Sequence, residues 1–119
     1  MLKKADRLYL DKDIQLILKS RNRFYIHDIQ INIAKNSINR FRVLVVVPKK
    51  IFKRAVHRNY IRRRVIALFE KAKAEEKLIL GWDCMILIKN KNILESNIWD
   101  QYFGITTFIN AKINHRINL

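Results

Sequence analysis

The sequence predicts an α+β fold, an α/β sandwich with helices packed on a three-stranded core sheet in the order helix, strand, strand, helix, strand, helix. Three observations carry that prediction. The spacing of apolar residues changes from helical to alternate between the first 20 residues and the stretch that follows. Two nearly all-apolar runs, residues 41–47 and 83–89, then flank one long basic helix, and strands joined by such a crossover helix pair in parallel. With only 2 Gly and 1 Pro, no flexible linker or repeat divides the chain. Residues 1–119 are therefore read as a single domain around one core.

The elements follow in order. Asp11 is placed to cap a first helix over residues 12–20, where Ile14, Ile17 and Leu18 recur at helical spacing. From 24 to 33 the apolar residues Tyr25, Ile29, Ile31 and Ile33 fall on alternate positions, which predicts one half-buried strand. Asn36-Ser37-Ile38-Asn39 reads as a turn. Residues 41–47 are strand-like and, from Leu44 to Val47, apolar at every position, as in a strand covered on both faces. Pro48 ends its pairing. The second part of the segment 49–77 is a helix whose inner stripe is Ile61, Val65, Leu68, Phe69 and Ala72. Gly81 punctuates the linker to the second apolar strand, 83–89, and residues 90–92 are turn-like. A final helix over 96–112 turns Ile98, Tyr102, Ile105 and Ile109 inward, flanked by Trp99 and Phe103. Gly104 inside it costs about 1 kcal/mol relative to alanine.

Lysine and arginine number 25 against 10 aspartates and glutamates, a net charge of +15. Such a charge opposes compaction of a small domain, so it implies a polyanionic partner, with nucleic acid foremost. A membrane surface is the rival, but it requires an amphipathic helix with its apolar face left unburied, and this chain needs those faces for its core. No run of about 18 apolar residues predicts a membrane span. The N-terminal Met1-Leu2-Lys3-Lys4-Ala5-Asp6-Arg7 lacks a signal-peptide apolar core. The single cysteine, Cys84, sits in an apolar run and reads as a small buried hydrophobe. These features together point to a cytoplasmic protein.

The basic helix is the most informative object. On a helical wheel Arg58, Asn59, Arg62, Arg63 and Ile66 lie beside the apolar stripe, and Tyr60 and Arg64 lie on the other side. Lys49, Lys50, Lys53 and Arg54 add charge on the approach. A lone surface arginine is ordinarily a solvated charge. Four arginines within about two helical turns and no acid among them repel one another, so the cluster needs a partner to explain it. Guanidinium forks bind phosphate oxygens bidentately, and Asn59 can meet a base edge or a ribose hydroxyl.

The stretch Phe41-Arg-Val-Leu-Val-Val-Val-Pro-Lys-Lys-Ile-Phe-Lys-Arg-Ala-Val-His-Arg-Asn-Tyr-Ile-Arg-Arg-Arg-Val-Ile-Ala-Leu-Phe69 resembles the signature of the bacterial ribonuclease P protein subunit. In that family a strand ends in Lys-Lys, and a basic loop leads to Ala-x-x-Arg-Asn-Arg-hydrophobic-(Lys/Arg)-Arg. Arg7-Leu8…Asp13-Ile14-x-x-Ile17-Leu18 and Asp83-Cys-Met-Ile-Leu-Ile88 resemble the family's first helix and last strand. The resemblance implies a ribosomal S5 domain 2-like fold with a left-handed crossover. It implies a protein that binds a catalytic RNA subunit and the 5′ leader of precursor tRNA, and so promotes endonucleolytic removal of the leader. Cleavage and the Mg2+ ions belong to the RNA, and the protein holds no cofactor, metal site or catalytic residue of its own. The implied RNA contacts are Lys49, Lys50, Arg54, Arg58, Asn59, Arg62, Arg63 and Arg64. The implied leader cleft holds Ile14, Leu18, Phe24, Tyr25, Arg42 and Val46, although Phe24, Tyr25 and Val46 read equally well as core. Four positions depart from the family: Tyr60 and Ile66 stand where it has arginine, and Ile14 and Leu18 replace aromatics.

The residues themselves supply no nuclease centre. Asp11 and Asp13 suit a helix start, Glu75 and Glu76 suit a solvated helix end, and His27, His57 and His115 read as surface polar groups. The alternative to the ribonuclease P reading is a generic RNA-binding or ribosome-associated basic protein on the same fold, which would bind RNA without stimulating tRNA processing. A DNA-binding module, for which Asn59 is the sole base-reading candidate on the helix, and a stand-alone nuclease are not expected.

Overall fold

The computed structural model describes residues 11–20, 22–26, 29–90 and 105–117. The elements run α1 (Asp11–Lys19), β1 (Arg23–Ile26), β2 (Ile29–Lys35), β3 (Phe41–Val46), α2 (Ala55–Ala74), β4 (Trp82–Ile88) and α3 (Ile105–Ile117). The sheet has four strands in the order β1-β2-β4-β3. β1 is antiparallel to β2 and β2 to β4, while β3 and β4 are the parallel pair joined through α2.

The predicted strand over 24–33 is two strands, so the sheet has four rather than three. The apolar phase explains why. Phe24 and Ile26 pack into the main core from even positions, and Ile29, Ile31 and Ile33 from odd ones. A continuous strand would send those two sets to opposite faces. Reversal of the chain puts them on one face, with Phe24 opposite Ile31 and Ile26 opposite Ile29. Tyr25, grouped by the sequence reading with the odd isoleucines, points the other way and is 61% exposed. Residues 29–33 are buried at every position rather than half-buried, because β2 lies inside the sheet and both of its faces are covered. β3 is the converse: Phe41, Val43 and Val45 are buried and Arg42, Leu44 and Val46 only half so, since this strand lies at the sheet edge.

The main core fills one face. Ile61, Val65, Phe69 and Ala72 of α2 are buried there and Leu68 is half-buried, with the Phe41 and Phe69 rings stacked 5.9 Å apart. In α3, Ile105, Ile109 and Ile113 are buried at one-turn intervals. The described helix begins at Ile105, so Ile98, Trp99, Tyr102, Phe103 and Gly104 of the predicted helix lie outside the described residues. α1 packs on the opposite face against β2 and β4. Its buried Ile17 meets Met85, with Ile14, Ala34, Leu44 and Val46 around them. Ser20 Oγ donates to the Ile33 carbonyl at 2.9 Å and fastens the end of α1 to β2.

The predicted turn at 36–39 closes the far end of the sheet. Asn36 Oδ1 accepts the Ile38 N–H at 3.1 Å, an Asx turn, and its Nδ2 donates to the Arg40 carbonyl and to Asp83 Oδ1. Gly81 adopts φ +92°, a conformation that disfavours any side chain. From there its N–H donates to the Arg40 carbonyl, and its own carbonyl accepts from Asn36.

Candidate nucleic-acid interface

The basic array is built on a rigid loop. After β3, the Pro48 carbonyl accepts from the N–H groups of Ile51 and Phe52, and Phe52 is driven into the core. That tight turn leaves Lys49 and Lys50 exposed. Arg54 is the N-cap residue of α2, extended at φ −86° and ψ 127°, and its side chain makes no capping hydrogen bond. No acidic residue occupies the first turn of α2, so nothing there offsets the positive end of the helix dipole. Cations crowd a helix end that itself attracts anions.

Along α2 the sequence-predicted residues take unequal places. Arg58 is half-buried, and its Nη1 donates to the carbonyls of Phe52 at 2.8 Å and Lys53 at 3.0 Å. This arginine therefore holds the loop onto the helix, a role the sequence did not reveal. Asn59 is exposed and its Oδ1 accepts a long 3.4 Å bond from Arg62 Nη1. Arg62 is half-buried, and Arg63 and Arg64 are exposed. Ile66 packs against the main core, so the gap it leaves among the cations is filled by packing.

The α1 side of the sheet forms the second surface. Ile14, Arg42 and Val46 share it, and Leu18 stands 43% exposed on α1 beside it. Arg42 is committed to a carboxylate: Nε and Nη2 meet Asp83 Oδ1 and Oδ2 at 2.8 and 2.7 Å in a bidentate pair. Tyr25 faces the same side from β1, the opposite edge of the sheet from β3. Phe24 belongs to the other face, where its ring meets Phe108 edge-on at 6.5 Å with Lys112 Nζ 5.1 Å above it. The structure thus separates Phe24 from the other five residues of the expected cleft.

Two residues on this side escaped the sequence reading. Gln30 and Asn32 alternate with the core isoleucines and look solvated in sequence, yet both are buried. Gln30 Nε2 donates to Asn32 Oδ1 at 2.9 Å, and Asn32 Nδ2 has no hydrogen-bond partner among the described residues. Only the central position of β2 reveals them.

Glu75 is exposed and pairs with Lys77 at 2.8 Å, whose hydrogen bond and charge hold its carboxyl below the usual range. Burial, reinforced by neighbouring Asp83, pushes the Cys84 thiol far above its ordinary value. Among the described residues no three of His, Cys, Asp and Glu gather as metal ligands, and no helix is long and apolar enough to cross a membrane. His57 is half-buried at the start of α2. The side chains of Asp11, Asp13, His27 and His115 lie outside the described residues.

Residues 2–102 match the family model described as Ribonuclease P. The ribonuclease P protein component of Mycoplasma genitalium is 30% identical over 94 residues, covering 79% of this chain and 70% of that one. That of Ureaplasma urealyticum serovar 10 is 29% identical over 79 residues, covering 66% and 64%. Among solved structures, the ribonuclease P protein of Staphylococcus aureus superposes with a TM-score of 0.72 at 24% identity, covering 90% of this chain and 96% of that one. That of Thermotoga maritima gives 0.69 at 23%, covering 84% and 94%.

Proposed function

The chain belongs to the ribonuclease P protein family, a protein component of an endoribonuclease that partners an RNA subunit, and from that premise we propose how it works. It docks on the RNA subunit through the cationic face formed by Lys49, Lys50, Arg54 and the arginines of α2. It presents the α1 side of its sheet to the 5′ leader of precursor tRNA. The observation that carries this reading is the dense, acid-free array at the start of α2, fixed to the body by Phe52 and Arg58. Bond cleavage belongs to the RNA, which also holds the Mg2+ ions. The protein screens phosphate repulsion between RNA subunit and substrate, and so favours their close approach. The same reading puts the chain in the cytoplasm, beside its RNA and substrate.

Beside α1 the leader surface is aliphatic, with Ile14, Leu18, Leu44 and Val46 along it and the Gln30–Asn32 pair beside them, while the exposed Tyr25 ring stands on the far strand β1. Aliphatic side chains contact bases without stacking on them, and a ring at such a site contributes about 1–3 kcal/mol per base. Leu18→Phe tests the assignment in the reconstituted ribonucleoprotein. Affinity rises for precursor tRNA with a leader of several nucleotides and stays constant for mature tRNA. Equal changes for both ligands would remove α1 from the leader path.

A further inference from the structure

The family motif leaves one residue of α2 unaccounted for. Tyr60 stands where the family has arginine, and it is 42% exposed. One turn earlier Val56 is 66% exposed. Residues four apart on a helix are neighbours, so the two form a continuous apolar ridge. Arg63 and Arg64 lie on the next turn, one to either side of the ridge, and exposed Ala67 extends it. Valine and tyrosine are weak helix formers, and neither is among the residues of α2 that pack on the core. A single exposed apolar residue needs no explanation. An exposed aromatic joined to a valine and bracketed by two arginines is the construction of a stacking platform, with a ring for the base and guanidinium groups for the flanking phosphates.

We infer that the Val56–Tyr60 ridge, flanked by Arg63 and Arg64, stacks an unpaired nucleotide of the RNA subunit. The inference rests on the ribonuclease P reading and adds to it a base contact on the side of α2 away from Arg58 and Arg62. The RNA subunit then contacts both flanks of this helix: phosphates against Arg58 and Arg62, and an unstacked base against Tyr60. Charge favours an RNA occupant over a second copy of this chain, because two copies at net charge +15 would bring like arginines together across the ridge.

The test uses the full chain and the ribonuclease P RNA of the same source. Affinity is measured across a salt series for the unaltered chain, Tyr60→Phe and Tyr60→Leu, and base accessibility is mapped by chemical probing. Tyr60→Leu binds about tenfold more weakly at every salt concentration, with an unchanged salt slope because no phosphate contact is lost. Tyr60→Phe stays within about twofold, because the ring does the stacking. One unpaired base is protected by the unaltered chain and by Tyr60→Phe, and becomes reactive with Tyr60→Leu. Unchanged affinity and protection in Tyr60→Leu overturns the inference while leaving the ribonuclease P reading intact. A loss in Tyr60→Phe equal to that in Tyr60→Leu also overturns it, by assigning the contact to the hydroxyl. Failure of the unaltered chain to bind the RNA overturns both. Thermal melts of the three proteins coincide, which separates lost contact from lost fold.

Discussion

Arg58 shows how a residue of the candidate RNA-binding cluster can also hold the fold together. In sequence it is one of several arginines in a cluster. In the structure its guanidinium donates to two loop carbonyls, whereas Arg63 is exposed on the outer surface of the same helix. Hydrogen bonds to a charged group contribute about 1.5–3 kcal/mol. Arg58→Ala therefore lowers stability in urea melts by about 1–3 kcal/mol and also weakens RNA binding. Arg63→Ala weakens RNA binding with stability unchanged to within about 0.5 kcal/mol. Equal stability losses would show that the loop contact is unimportant. Cys84 makes the opposite case, a reactive residue type rendered inert. Its thiol is fully buried and its pKa stands far above the usual thiol range, so it contributes stability below the unfolded thiol's pKa that is lost as pH rises toward the folded one. A thiol reagent at mildly alkaline pH modifies Cys84 no faster than the protein unfolds. Fast labelling of the native protein would contradict its burial.

At the scale of elements, the sequence showed where long apolar segments lie and missed what depends on the order of strands. α1, β3, β4 and the inner stripe of α2 were legible because their periodicity is strong and local. The β1–β2 hairpin was not, because the phase change between Ile26 and Ile29 can be mistaken for continued alternation. Nor were Gln30 and Asn32 as buried groups, since nothing local says that β2 is central. The basic cluster was legible as composition, while its division into loop anchor, packed Ile66 and exposed arginines required tertiary contacts. The end of α2 offers a direct test of local chemistry. Glu76 adopts φ 56° where the chain leaves the helix, and the Lys77 N–H donates back to the Ala72 carbonyl at 2.8 Å, the arrangement in which glycine is preferred. Glu76→Gly relieves the left-handed strain and raises stability by about 0.5–1 kcal/mol, measured by thermal melting. A lower melting temperature would mean that the glutamate side chain contributes more than its backbone costs.

Over the whole molecule, a small sheet divides two tasks between its faces. One face carries α2 and α3 over the main core, and α2 turns its back, with its exposed cations, outward. The other carries α1 and leaves the side chains of edge strand β3 half-covered, where a single strand can lie. On the proposed function, the charge of +15 serves both surfaces in bringing together polyanions that repel each other. The most direct test is precursor-tRNA cleavage across a Mg2+ titration, with the ribonuclease P RNA alone, the chain alone, and both together. The chain alone is expected to cleave nothing, and its addition to shift RNA-dependent cleavage to lower Mg2+. Cleavage by rigorously RNA-free protein, or a Mg2+ requirement that the chain leaves unchanged, would contradict the proposed function.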